Sequence, residues 1–178
     1  MNGVMRFIPL FIVASIFIVF LMMMGGERNP KEIRSVLIGK SAPAFSLPAL
    51  TESAPPLTEA NLKTGKPMLV NFFASWCAPC RAEHENLMFL AHEKGISIIG
   101  IAYKDTAEKS AAFLSELGSP FTHVGQDLEG RAGIDWGITG VPETFLIDGD
   151  GIIRYRHWGP IVGDSLKKRL LPQLEEIQ

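Results

Sequence analysis

Cysteine is scarce in this chain: two residues in 178, Cys77 and Cys80, with only two positions between them. A fold stapled by disulfides needs more of them, spread along the sequence. A bridge closing so small a loop removes little entropy from the unfolded chain, so the pair is a reagent rather than a staple. Net charge is missing as well. Seventeen Lys and Arg against 19 Asp and Glu leave −2, which argues against the basic footprint of a nucleic-acid binder. There is no internal repeat, no long low-complexity tract and no second CxxC. His84 lies four residues after Cys80, but zinc would need ligands from elsewhere, and His84, His92, His123 and His157 show no metal spacing. No metal and no cofactor is therefore expected.

One long apolar run is present. Phe7 to Met24 (FIPLFIVASIFIVFLMMM) is eighteen residues without a charge, near the lower limit for a membrane-spanning helix. Met22 to Glu27 gives no small-x-small cleavage site, which favours a retained anchor over a removed signal peptide. The expected organisation is a head over residues 1–6, an anchor over 7–24, a linker over 25–34 and one domain over 35–178, long enough for a substantial core. Arg6 on one side faces Arg28, Lys31, Arg34 and Lys40 on the other, so the positive-inside count does not by itself place the domain outside.

Within the domain, Ala44–Leu50 reads as a short strand, with Pro48 marking it as an edge. Thr51–Lys66 is turn-rich. Met68–Ala74 (MLVNFFA) is apolar except for Asn71, the pattern of a central buried strand. A helix is expected from about Cys80 to Lys94, with Leu87, Leu90 and Ala91 at helical spacing and Gly95 as its stop. Ile96–Tyr103 is a second buried strand. Asp105 with Glu108 three residues on resembles a capping box for a helix ending at Gly118. Thr122–Val124 is a short strand, and Thr144–Ile147 with Ile152–Trp158 forms an antiparallel hairpin. A last helix runs from near Asp164, kinked at Pro172. This order predicts an α/β fold, a mixed sheet flanked by helices.

The chemistry sits in Trp76-Cys77-Ala78-Pro79-Cys80, directly after a buried strand and at a helix start. Disulfide exchange needs a thiolate, and a free thiol with a pKa of about 8.5 is mostly protonated at neutral pH. The unpaired N–H groups and partial positive charge of a helix N-terminus stabilise the thiolate. Pro79 stiffens the turn. Cys77 is expected to attack, and Cys80, one turn in, to resolve the mixed disulfide.

These segments, GKSAPAFSLPAL, LVNFFASWCAPCRAEH and GVPETFLIDGDGIIRYRHWG, resemble the thioredoxin superfamily and, within it, the anchored thiol:disulfide interchange proteins of cytochrome c maturation, the CcmG/DsbE type. The resemblance implies a thioredoxin-like fold with an insertion, here in Lys104–Asp135, and a cis bond at Val141–Pro142. It implies a disulfide reductase in the periplasm, held by a single-pass anchor in the inner membrane. Its substrate would be apocytochrome c or a partner dithiol protein of cytochrome c maturation, and a membrane electron carrier would re-reduce it. Asn71 stands where thioredoxin has a buried aspartate that moves a proton, and Asn cannot take one. Glu83, one turn after Cys80, and Glu143, directly after Pro142, are the substitute candidates, with Glu143 preferred because it adjoins the cleft. Trp76 is expected to pack beside the site. Two rival chemistries are weaker. A peroxidase of related fold needs a threonine three residues before its reactive cysteine, where this chain has Ala74. A copper chaperone usually spaces its cysteines more widely.

Overall fold

The computed structural model describes residues 8–24, 35–51 and 54–177, in two units that divide at Ile33 and Arg34. In the first unit, helix α1 covers Ile8–Met24. Among the described residues no helix is long and apolar enough to cross a membrane. The expected anchor begins at Phe7, which, like the head at 1–6 and the linker at 25–34, lies outside the described residues.

The second unit is built around a five-stranded sheet. Strand β1 (Ser46–Leu47) pairs antiparallel with β2 (Leu57–Thr58) in a small sheet of their own, followed by a 3-10 turn over Glu59–Leu62. The main elements are β3 (Met68–Phe73), α2 (Ala78–His92), β4 (Ser97–Tyr103), α3 (Ala107–Leu117), β5 (His123–Asp127), α4 (Arg131–Asp135), β6 (Glu143–Ile147) and β7 (Ile153–Trp158). The order across the sheet is β5-β4-β3-β6-β7. Strands β3, β4 and β5 run parallel, while β6 is antiparallel to both β3 and β7. This is the mixed α/β sheet that the sequence predicts.

Strand β3 is central, and all six of its residues are buried. The two-residue period of a strand sends Leu69 to one face and Val70 and Phe72 to the other. On the first face Leu69 and Leu146 pack with Leu87 and Leu90 of α2 and with Leu166, Leu170 and Leu174 near the C-terminus. On the second, Val70, Phe72 and Phe145 pack with Phe45, Leu57 and Trp136. Trp136 makes edge-to-face contacts with Phe45, Phe72 and Phe145, each worth about 0.5–1.5 kcal/mol beyond area burial.

Several elements differ from the sequence reading. The strand expected over Ala44–Leu50 is regular only at Ser46–Leu47, but its continuation still covers the sheet's edge: Gln126 N–H donates to Pro48 O and Leu50 N–H to Val124 O. The strand expected at Thr122–Val124 runs on to Asp127. Helix α3 is capped by Thr106, whose hydroxyl accepts from Lys109 N–H, and not by Asp105, which turns elsewhere. The Lys104–Asp135 stretch holds α3, β5 and α4. The C-terminal helix begins as a π-helical stretch at Leu166–Leu170 and becomes α-helical as α5 (Leu171–Ile177). Pro172 has no N–H to continue the regular ladder there.

Candidate functional site

Strand β3 delivers the chain to the site. After Phe73 the backbone leaves the sheet through Ala74, Ser75 and Trp76, and Cys77 becomes the N-cap of α2 with φ −90° and ψ 103°. Proline is favoured in a first helical turn because its missing N–H is not needed there, and Pro79 occupies that turn. Cys77 and Cys80 are joined by a disulfide with their Cα atoms 5.2 Å apart. Cys80 N–H donates to Cys77 Sγ at 3.1 Å, one of the donors that would hold a thiolate at this position. Cys77 is 4% exposed and Cys80 2%, so accessibility barely separates them. Their different stations do: Cys77 at the cap, Cys80 one turn in.

The loop that presents Cys77 is gripped by the turn between β4 and α3, a feature with no motif to announce it. Asp105 is buried. One of its oxygens accepts from Ser75 N–H (2.8 Å) and Ser110 Oγ (2.8 Å). The other accepts from Ser75 Oγ (3.0 Å) and Thr106 N–H (3.1 Å). The preceding Lys104 has φ +48°, a left-handed backbone uncommon outside glycine, and its carbonyl accepts from the Trp76 indole at 3.2 Å. The two residues before Cys77 are thus tied down by three hydrogen bonds. Trp76 itself is 60% exposed, so it borders the site instead of packing into it.

A buried polar cluster joins β3, β6 and α2, with Glu83 three residues after Cys80. Asn71 sits on β3 between Gly100 and Thr144. Its amide donates to Glu83 Oε1 (2.8 Å) and to Thr144 Oγ1 (3.0 Å), and its Oδ1 has no partner. Glu83 is fully buried, and its Oε2 accepts from Ile161 N–H at 2.8 Å. Burial raises the Glu83 carboxyl from 4.5 to about 7, against the opposing pull of the Ile161 and Asn71 hydrogen bonds. A group poised at neutral pH can both take and give a proton.

Glu143, the candidate preferred from sequence, is placed differently. Its Oε1 accepts from Thr139 N–H and Oγ1, both at 2.7 Å. Its Oε2 meets Arg156 at Nε (2.7 Å) and Nη2 (2.6 Å). Both side chains are buried, so this ion pair ties the 139–143 loop to β7. The Val141–Pro142 peptide within that loop is cis, and Val141 packs against the cluster containing both cysteines. His84 makes a hydrogen bond to Gly118 O (3.0 Å) and contacts the edge of Phe113; burial lowers its pKa. Among the described residues no group of three or more His, Cys, Asp or Glu side chains is arranged to hold a metal ion.

Comparison with known proteins agrees with this geometry. A family model described as Redoxin matches residues 37–170. The thiol:disulfide interchange protein HelX of Rhodobacter capsulatus is 47% identical over 148 residues, covering 83% of each chain. The thiol:disulfide interchange protein DsbE of Yersinia pestis is 41% identical over 177 residues, covering 98% of this chain and 94% of its own. Among solved structures, a secreted disulfide oxidoreductase of Mycobacterium tuberculosis, homologous to E. coli DsbE, superposes with a TM-score of 0.62. It covers 74% of this chain and 95% of its own, and at 23% identity it speaks for the fold alone.

Proposed function

The chain belongs to the redoxin family, in its CcmG/DsbE-type branch of thiol:disulfide oxidoreductases, and from that premise we propose that it works as a disulfide reductase in cytochrome c maturation. The observation that carries the chemistry is an oxidisable Cys77–Cys80 pair at a helix N-terminus, backed by a buried carboxyl that titrates near neutrality.

In the reduced protein, the Cys77 thiolate attacks one sulfur of the partner's disulfide. That S–S bond breaks, a mixed disulfide forms and the partner's first thiolate leaves. Glu83 takes the proton from Cys80. The Cys80 thiolate then attacks Cys77 Sγ, the mixed disulfide breaks, and the partner's second thiolate departs and is protonated. Two electrons pass to the partner, which becomes a dithiol, while this chain is left with the disulfide. Asn71 suits both states of Glu83. Its NH2 donates to the carboxylate, and with the amide turned over its spare Oδ1 accepts from the carboxylic acid.

The resemblance of the whole chain supports the remaining assignments. The substrate is apocytochrome c or a dithiol partner that handles it, and a membrane electron carrier returns the two electrons. The domain works on the periplasmic side of the inner membrane, where the surroundings are oxidising and a dedicated reductant is needed. Phe7–Met24 anchors it there as a single span. Replacement of the resolving residue, Cys80→Ser, tests the mechanism. Expressed in its own membrane, this variant accumulates a mixed disulfide with its substrate through Cys77, which mass spectrometry identifies, and Cys77→Ser abolishes it. Adducts on Cys80 in the Cys77→Ser variant would reverse the roles.

A further inference from the structure

Trp158 has no part in the exchange chemistry, yet it is 48% exposed at the end of β7, beside the cis-proline loop. In the β6–β7 register it lies opposite Glu143, so the two side chains leave the same face of the sheet. The next residue, Gly159, donates its N–H to Pro142 O at 3.1 Å. The indole N–H donates to Thr139 Oγ1 at 3.0 Å, and Thr139 donates twice to Glu143, which is closed by Arg156. A large aromatic ring is therefore pinned to a loop whose Val141 packs against the cluster that contains both cysteines. On the loop that carries Cys77, Trp76 is exposed and pinned in the same manner to Lys104 O.

We infer that Trp158 is a substrate-recognition residue that, with Trp76, receives an apolar or aromatic side chain next to the cysteine of an extended partner segment. The inference rests on the reading of this site as a disulfide reductase. Three features select that occupant. Both indoles have spent their only hydrogen-bond donor on their own chain, so what they offer outward is ring surface. On the Trp158 side, Glu143 and Arg156 are buried against one another and spend their charges on each other. A tethered ring has already lost its rotamer freedom, so little entropy is lost when a partner binds. Aromatic anchors of this kind carry a large share of binding at protein interfaces.

The test uses the reduced full-length protein and synthetic twelve-residue peptides with one internal disulfide, identical except for Phe, Ser or Lys beside the attacked cysteine. Oxidised glutathione serves as a disulfide with no flanking chain. The wild type reduces the Phe peptide with a kcat/KM about tenfold above that for the Ser peptide, the scale of one good interface contact. Trp158→Ala removes most of that ratio, chiefly through KM, and Trp158→Phe keeps most of it. Phe89→Ala, which alters an exposed ring well down α2, does not change it. A Trp158→Ala protein that keeps the full preference, or a wild type that ranks Lys first or all three alike, overturns the inference while glutathione reduction leaves the reductase reading standing. Failure of the wild type to reduce any of these disulfides overturns both. The wild-type ranking carries the test even if Trp158→Ala does not fold.

Discussion

Replacing Glu83 by Gln should flatten the pH dependence of stability in a defined window. Burial lifts this carboxyl from 4.5 to about 7, so the folded protein holds its proton more tightly than the unfolded chain does. The stability supplied by that proton is fully present below pH 4.5 and is lost as pH rises through about 7. Each pH unit between the two values is worth about 1.4 kcal/mol, so the wild type loses about 3 kcal/mol from this group between pH 4 and pH 8. Glu83→Gln has no such proton. Its amide places an NH2 where Asn71 or Ile161 N–H now donates, a penalty that does not vary with pH, so the slope and not the offset is diagnostic. Urea unfolding of both oxidised proteins, followed by tryptophan fluorescence at intervals across pH 4–8, gives the difference directly. The variant should gain about 3 kcal/mol on the wild type over that range. A difference that stays constant within about 0.5 kcal/mol would show that Glu83 titrates normally and does not accept the Cys80 proton near neutrality.

Glu143→Gln should behave in the opposite manner, with a loss of about 3–5 kcal/mol at neutral pH because the buried Arg156 charge loses its counter-ion; the same urea titration at pH 7 measures it. Asp105→Ala strands Ser75 N–H, Ser75 Oγ, Thr106 N–H and Ser110 Oγ. It should cost about 2 kcal/mol or more in thermal unfolding, with Ser75→Ala, which leaves Asp105 three of its four donors, costing less. Gly149→Ala places a Cβ 2.5 Å from the Gly65 carbonyl carbon and should cost about 1–3 kcal/mol. Gly140→Ala, which meets nothing within 4 Å, should change the same melting curve by less than about 0.5 kcal/mol.

The parts of this molecule that rest on local pattern were legible in the sequence. The apolar run at Met68–Phe73, the helix stop at Gly95 and the β6–β7 hairpin follow from periodicity and turn chemistry, and CxxC at a strand–helix junction places the reactive pair. What escaped depends on contacts between segments far apart in sequence. Asp105 followed by Glu108 looks like a helix cap, but the competing partner, Ser75, lies thirty positions earlier. Glu143 adjoins Pro142 in sequence, whereas its partner Arg156 reaches it diagonally across β6 and β7 from a place opposite Phe145. Glu83 is a candidate by its place one turn after Cys80, but nothing local reveals that the Ile161 backbone closes over it. Trp158 gave no signal either, since its exposure follows from the strand register and not from the composition around it.

Whether Cys77 and Cys80 give up two electrons or take them up separates a reductase from an oxidase. Equilibrating the full-length protein with graded mixtures of reduced and oxidised dithiothreitol, and counting free thiols, gives the reduction potential of the pair. The pair is expected to be a reductant, with a potential well below the about −120 mV of a strong disulfide donor. A value at or above that level would make the protein an oxidant and contradict its assignment as a disulfide reductase.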